Sequence, residues 1–127
     1  MGLSVEIEYA NKKVHEQCTN VKAAKKLFGG DEQLVRSLFA RITAIESADV
    51  IKDIIVQHQF RFHSLENFGK NKYKGLFAID VKTAREPWRI ILQPLDENKR
   101  VFDPCFIDQI ASIVRIVSVR EISKHYE

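Results

Sequence analysis

The sequence predicts an α+β fold: an N-terminal strand, then two to three helices packed on a mostly antiparallel, twisted sheet. Two observations predict this class. An alternating segment and residues with helical spacing occupy the first part of the chain, and several strand-like segments follow them. Helices and strands that are segregated along a chain are typical of α+β domains. With 127 residues and no internal repeat, residues 1–127 are expected to form a single domain.

The first strand and the first helix follow from residue spacing. Leu3 to Tyr9 alternate apolar and polar residues, which predicts a half-buried strand. Asn11 is suited to cap a helix that Gly29-Gly30 would end, with an interruption expected near Thr19-Asn20. The buried stripe of this helix is predicted to be Val14, Cys18, Val21, Ala24 and Phe28.

A second helix is predicted from about Glu32 to Ser47, with Asp31 as its N-cap. Its apolar stripe is Leu34, Leu38, Ile42 and Ile45. Arg36 and Arg41 lie off this stripe, so we expect them to be solvated. A short helical turn is expected to continue the chain through Ile54.

The second half of the chain is predicted to supply the other strands. Their approximate bounds are Gln59–Leu65, Leu76–Lys82, Trp88–Pro94 and Ile113–Ile122. In the last strand we expect Val114, Ile116 and Ser118 on one face, and Ile113, Arg115, Val117 and Val119 on the other. Residues 103–110 are ambiguous, with a helical turn as one interpretation, and residues 94–112 have no predicted function.

The net charge of +3 and a pI near 8.9 are too mildly basic to identify a nucleic-acid-binding protein. The distribution of charge is more informative. Between Arg61 and Arg89 there are seven basic residues and three acidic ones. This stretch is therefore expected to form a local patch that attracts anions.

Several classes of protein are not indicated. No apolar run approaches the roughly 20 residues that span a bilayer, and the N-terminus lacks signal-peptide features, so we expect a cytoplasmic protein. Cys18, Cys105 and the histidines have no metal-ligand spacing, and no nucleotide-binding or hydrolase motif occurs. Neither a metal nor another cofactor is expected. If the protein is an enzyme, we therefore expect metal-free acid-base chemistry.

Arg89 is a candidate because it lies in an otherwise apolar strand, where an unpaired charge is costly. It either binds a phosphate or forms a structural ion pair with Asp80 or Glu86. Lys70, Lys72 and Lys74 alternate around Tyr73, and on an extended segment they would share one face. They suit an RNA backbone with one base stacked on the tyrosine, or they form a solvated loop.

His63 is a candidate for proton transfer near neutral pH, in strand-like alternation with Arg61, which is taken as a substrate-binding candidate. A structural histidine is the alternative. His125 and Tyr126 follow the last predicted strand and could fold back over the sheet, or they form a frayed terminus.

Taken together, these segments resemble the RelE/ParE superfamily of type II toxins, and most closely its HigB (plasmid maintenance killer) branch. The resemblance covers most of the chain. Its motifs, in order, are the Val5-Glu6-Ile7-Glu8-Tyr9 strand, Phe28-Gly29, His63-Ser64-Leu65, Gly75, Phe77-Ala78-Ile79-Asp80 and Trp88-Arg89-Ile90. Each motif is weak by itself, and their order makes them moderately specific.

The resemblance implies a RelE-like fold and an mRNA endonuclease (an mRNA interferase) that inhibits translation, usually on the ribosome, and causes growth arrest. By position it assigns catalysis to Arg89 and His63, and to the tail. The tail departs from the family, because Lys124-His125-Tyr126 stands where HigB relatives have Asp-Tyr-His. It also implies a HigA-like helix-turn-helix antitoxin as partner, with operator DNA contacted only through that antitoxin and no membrane association.

Two other functions remain open. A ParE-type toxin would share the fold but bind gyrase without catalysis, and a nucleic-acid-binding module would dock RNA without cutting it. Fold does not separate these functions. The set of His63, Arg89 and the three lysines favours cleavage, because a pure binding module does not need a proton-transfer group.

Overall fold

The computed structural model describes residues 4–66 and 73–124. Its strands are β1 (Glu6–Tyr9), β2 (His63–Ser64), β3 (Phe77–Asp80), β4 (Arg89–Leu95) and β5 (Ile116–Ser123). Its helices are α1 (Lys12–Thr19), α2 (Val21–Leu27), α3 (Glu32–Ser47), α4 (Lys52–Ile55) and α5 (Ile107–Ile110), with a 3-10 turn at His58–Phe60.

The five strands form one sheet in the order β1-β5-β4-β3-β2. β1 lies parallel to β5, with Glu6 opposite Ile116, and the other neighbours are antiparallel. β3 and β4 pair so that Asp80 lies opposite Arg89. The predicted α+β class, with its N-terminal strand and mostly antiparallel sheet, is confirmed, and the arrangement is consistent with a RelE-like fold.

The main core lies between the helices and one face of the sheet. Leu38 and Ile45 of α3 are fully buried in it, together with Ile79 and Ile90 of the central strands. A smaller apolar cluster of Leu65, Ala78 and Ile91 lies on the other side of the sheet. Within residues 4–66 and 73–124, none of the helices has the length and apolar character that crossing a bilayer requires.

Asn20 explains why the predicted first helix is two helices. Its backbone N–H donates to the Glu16 carbonyl at the end of α1, and its side chain accepts from the backbone N–H of Ala23 at the start of α2. The interruption near Thr19-Asn20 is therefore confirmed. The helix axis changes direction at this break. The prediction that Val21 belongs to the buried stripe is therefore wrong, because Val21 is 54% exposed.

The second helix has the predicted bounds and N-cap. The Asp31 carboxylate accepts from the backbone N–H groups of Gln33 and Leu34 at 3.0 and 3.2 Å, and the whole predicted stripe is buried. Arg36 is exposed as expected. The prediction for Arg41 is wrong, because its side chain is half-buried and bonded to the end of β3.

The predicted strand at Gln59–Leu65 is largely wrong. The 3-10 turn ends at Phe60, whose ring is buried, and Arg61 adopts a left-handed conformation with φ 48° and ψ 49°. This reversal leaves only His63–Ser64 in the sheet. The predictions for the next two strands differ from β3 and β4 by one or two residues at each end.

The last strand begins at Ile116, later than predicted. Val117 and Val119 point into the main core, as expected. Ile116 and Ser118, which lie opposite Leu95 and Gln93 of β4, are on the other face of the sheet, also as expected. Val114 is also buried in the main core, contrary to the prediction, because it lies before the first residue of the strand and does not follow the strand's alternation. Residues 94–112 contain α5, and Phe102, Ile107 and Ile110 from this segment pack against the main core.

Candidate functional site

The candidate site lies on the sheet face opposite α1–α3, which we call the open face. Residues paired across neighbouring strands point to the same side of a sheet. The pairs His63–Ala78, Ala78–Ile91 and Asp80–Arg89 therefore place all of these side chains on the open face, with Leu65. The structure thus brings His63, Arg89 and Arg61 to one region, since Arg61 also reaches Asp80.

Asp80 is the centre of this region. Its side chain is 1% exposed and lies between two guanidinium groups. Arg61 approaches with Nε at 2.7 Å from Oδ2 and Nη2 at 3.2 Å from Oδ1. Arg89 approaches from the neighbouring strand, with Nε at 3.2 Å from Oδ1. A buried carboxylate needs such partners, and with two arginines around one aspartate the group keeps one net positive charge.

The Arg89 guanidinium is buried and bonded to neighbouring protein groups. Its side chain is 5% exposed, and besides Asp80 it contacts the loop that precedes β4. Nη1 donates to the carbonyl oxygens of Glu86 and Trp88, and Nη2 donates to that of Ala84 at 3.2 Å. Nε lies within ion-pair distance of Asp80 but makes no well-directed hydrogen bond to a described residue.

Of the two interpretations of Arg89, the geometry is that of the structural ion pair with Asp80. A catalytic role for Arg89 stays a prediction. It requires the guanidinium to leave its loop carbonyls before it can reach a phosphate.

Arg61 connects the buried carboxylate to the histidine. Its side chain is 44% exposed, and its hydrogen bonds to Asp80 raise the pKa of its guanidinium. Its left-handed backbone turns its carbonyl oxygen toward His63, which lies 2.6 Å away at Nδ1. Positive φ is unusual and strained for a residue with a side chain, and such strain clusters at functional sites.

His63 is consequently fixed in one orientation. A carbonyl oxygen only accepts hydrogen bonds, so Nδ1 must carry the proton in the contact with Arg61. In the neutral ring, Nε2 then carries the lone pair. Nε2 is buried and has no hydrogen-bond partner within the described part of the chain. In this tautomer Nε2 is the nitrogen that can accept a proton, but it is buried, so the groups that cover it must move before a substrate hydroxyl can reach it.

Of the predicted lysine cluster, the structure describes Lys74. Lys70 and Lys72 lie outside the described residues, as do His125 and Tyr126 of the tail. Lys74 is exposed, but it lies in the turn before β3 and not on an extended segment. Tyr73 is half-buried and packs against the cluster of Leu65, Ala78 and Ile91, so the structure places its ring beside the apolar part of the open face.

The basic stretch between Arg61 and Arg89 does not form one surface. Arg61 and Arg89 are turned toward Asp80, and Arg89 is buried. Lys82 leaves this region, because its Nζ bonds the side-chain oxygen of Gln33 on α3 at 2.7 Å. The anion-attracting patch expected from composition is therefore smaller than predicted.

Sequence reasoning missed the role of Arg41. Its Nε donates to the backbone carbonyl of Asp80 and its Nη2 to that of Lys82, both at 3.0 Å, and its guanidinium lies 4.5 Å from the Phe60 ring centroid. Burial lowers the pKa of Arg41, while the charge of Asp80 acts in the opposite direction. No sequence signal identifies this contact, because it joins a helix to the end of a distant strand.

Two further findings bear on function. Within residues 4–66 and 73–124, His, Cys, Asp and Glu form no cluster that could hold a metal ion. The comparisons with known proteins add no relative: neither known protein families, nor curated proteins, nor solved structures contain a match to this chain.

Proposed function

We propose that this chain is the toxin of a type II toxin-antitoxin system and that it cleaves mRNA without a metal ion. The observation that carries the proposal is the orientation of His63. The Arg61 carbonyl holds the proton on Nδ1, and Nε2 has no partner among the described residues. A neutral imidazole whose Nε2 carries the lone pair is suited to general-base catalysis, provided that the groups burying Nε2 move to admit the ribose hydroxyl.

The proposed reaction is an internal displacement at phosphorus. His63 Nε2 removes the proton of a ribose 2′-OH, and the 2′-oxygen attacks the adjacent phosphorus. The bond from phosphorus to the 5′-oxygen breaks, and that oxygen takes a proton from water or from a tail residue, with His125 and Tyr126 as candidates. The products are a 2′,3′-cyclic phosphate and a 5′-OH end.

Arg61 is the cation best placed to assist this reaction. Its side chain is partly exposed beside His63, whereas Arg89 is enclosed. A guanidinium that donates to phosphate oxygens stabilises the charge that develops in the transition state. By the sequence prediction, Lys70, Lys72 and Lys74 would bind the RNA backbone.

The decisive variant is His63→Asn. The asparagine amide nitrogen takes the position of Nδ1 and can still donate to the Arg61 carbonyl, but the side chain has no counterpart of Nε2. We expect cleavage to fall about 10²–10⁴-fold with the fold retained. The matched control is His58→Asn, because His58 is an exposed histidine of the 3-10 turn.

The measurement is an in vitro translation reaction with primer extension on the message and analysis of the product ends. Wild type and His58→Asn should give cuts with 5′-OH ends. Equal cutting by His63→Asn would remove His63 from the mechanism, and 5′-phosphate ends would indicate a metal-activated water in its place.

One observation favours a second candidate, a nucleic-acid-binding module that does not cleave. Arg89 is engaged with Asp80 and the loop before β4, so the arginine that the family resemblance assigns to catalysis is not presented to a substrate. In that case the wild-type protein would bind RNA in a filter-binding assay while the message stays intact in translation.

The toxin role and its partners need a separate test. We expect expression of this chain alone to arrest growth of a bacterial host. Co-expression of a HigA-like helix-turn-helix antitoxin encoded beside it should relieve the arrest by forming a complex, which alone would contact operator DNA. Harmless high-level expression of the folded chain would contradict the toxin proposal, and a ParE-type toxin would instead inhibit gyrase and leave mRNA intact.

A further inference from the structure

A second candidate site lies away from His63, in a cleft between α1 and the ends of β4 and β5, which we call the Trp88 cleft. Its volume is about 350 Å³, within the range of pockets that hold small ligands. Gln17 of α1 and Leu27 of α2 line one side, and Trp88 with the end of β5 lines the other. Because these helices cover the opposite sheet face from His63, this cleft is separate from the candidate active site.

The walls of the Trp88 cleft are strongly basic. Lys13, Arg120 and Lys124 line it, against Glu121 as the acidic lining residue. All three cationic residues are exposed. None of the three forms an ion pair with a residue in the described part of the chain. An anion that enters the cleft would therefore meet three cations.

A β-bulge sets the position of Arg120. Across the β4–β5 ladder, Leu92 lies opposite Val119 and Ile91 lies opposite Glu121. Arg120 is the extra residue between these two pairs. Bulges redirect a side chain and are frequent beside active sites, and here the bulge adds a guanidinium to the lining of the cleft.

Trp88 supplies a flat apolar surface beside these charges. Its ring packs edge-on against Phe28, with centroids 5.1 Å apart and an interplanar angle of 84°, which holds it in place. Lys124 Nζ lies 5.6 Å from the ring centroid, so a polar group already approaches the ring face. Aromatic faces next to cations are a common platform for a nucleobase and its phosphate.

We propose that the Trp88 cleft binds a nucleoside monophosphate unit, either as a free nucleotide or as one residue of single-stranded RNA. The base stacks on Trp88 in place of the Lys124 ammonium. The phosphate is bound by Arg120, Lys13 and the displaced Lys124. This binding does not depend on RNA cleavage at His63.

Intrinsic fluorescence gives a direct test, because Trp88 is the only tryptophan in the chain. Adenosine 5′-monophosphate, adenosine, inorganic phosphate and an octamer of riboadenylate are titrated into the full-length protein. We expect saturable quenching by the monophosphate or the octamer, weakening with salt. Adenosine should bind at least about tenfold more weakly than the monophosphate, and inorganic phosphate should compete without quenching.

Charge variants then locate the binding site. The double variant Arg120→Gln with Lys124→Gln should weaken binding about tenfold or more, since each lost charge contact contributes up to a few-fold. Lys52→Gln on α4 is the matched control, because Lys52 is exposed and does not line the cleft. His63→Asn should bind as wild type, so loss of cleavage and loss of this site are distinguishable.

Each outcome decides the matter. Quenching by the free monophosphate identifies a mononucleotide pocket, and quenching by the octamer alone identifies a subsite for an RNA strand; both support the proposal. No quenching by either probe would overturn it. Equal affinity for adenosine and its monophosphate, or equal affinity of the double variant and the Lys52 control, would overturn it as well.

Discussion

Replacement of Asp80 by asparagine tests the charge arrangement beneath the candidate site. The Asp80 side chain is 1% exposed and that of Arg89 is 5% exposed, so this pair is excluded from water. Breaking a buried ion pair by removing one partner costs about 3–5 kcal/mol, because a charge is left buried and uncompensated. Asparagine keeps one oxygen, and Arg89 keeps its bonds to the loop carbonyls. We therefore expect Asp80→Asn to lower the free energy of unfolding by about 3 kcal/mol.

Arg61 gives the matched comparison, because it contacts the same carboxylate but its side chain is 44% exposed. A solvent-exposed ion pair contributes about 0–1 kcal/mol. Glycine also adopts the left-handed conformation of residue 61 without strain. Arg61→Gly should therefore change the free energy of unfolding by no more than about 1 kcal/mol.

The assay is equilibrium unfolding in urea at neutral pH, followed by the fluorescence of Trp88. A loss of about 3 kcal/mol lowers the urea midpoint by roughly 1–3 M for a small domain. An Asp80→Asn variant with a free energy of unfolding within about 1 kcal/mol of wild type would contradict the expected cost of the buried pair. An Arg61→Gly variant as destabilised as Asp80→Asn would also contradict it, because burial would then not decide the energy of the two pairs.

Three further predictions concern the rest of the fold. Burial raises the pKa of the Cys18 thiol from 9.0 to about 12. The stability that comes from keeping this thiol protonated in the core is complete below pH 9 and is lost as the pH rises toward 12, by up to about 4 kcal/mol. Cys18→Ala should flatten the decline measured by urea unfolding between pH 9 and 12, although Tyr9, with its pKa raised to about 12, titrates there too. Asp31→Ala removes the N-cap of α3 and should lower the free energy of unfolding by about 1 kcal/mol, and a change below the error of the fit would contradict this. Arg41→Ala removes two charged hydrogen bonds, to the backbone carbonyls of Asp80 and Lys82, and should cost about 1.5–3 kcal/mol in the same assay, against a negligible effect for the exposed Arg36→Ala.

The helical half of the fold could be predicted because its signals are local. The Asp31 cap and the stripe from Leu34 to Ile45 are complete within one segment, and α3 has the predicted bounds. Asn20 likewise interrupts the first helix with its own side chain and backbone. The orientation of Val21 could not be predicted, because it depends on how the second axis leaves the break.

The candidate site could be predicted only in part. Arg89 is recognisable from the sequence as a charge in an apolar strand that needs a partner, with Asp80 as one of two candidate partners. His63 is recognisable as a candidate for proton transfer. The partners of Arg89 are mainly backbone carbonyls of a neighbouring loop, which residue types do not reveal. The left-handed backbone at Arg61 was missed because alternation alone predicted a strand there, and it is this conformation that orients His63.

The parallel pairing of β1 with β5 has a consequence for how the molecule is made. Glu6–Tyr9 pair with residues 116–119, close to the other end of the described chain. During synthesis the first strand has no neighbour until the last one has been translated, so its apolar side chains and free backbone groups stay exposed. Contacts between such distant segments also slow folding. Closure of the sheet is therefore expected late, so destabilising substitutions in β1 should speed unfolding and leave the refolding rate nearly unchanged.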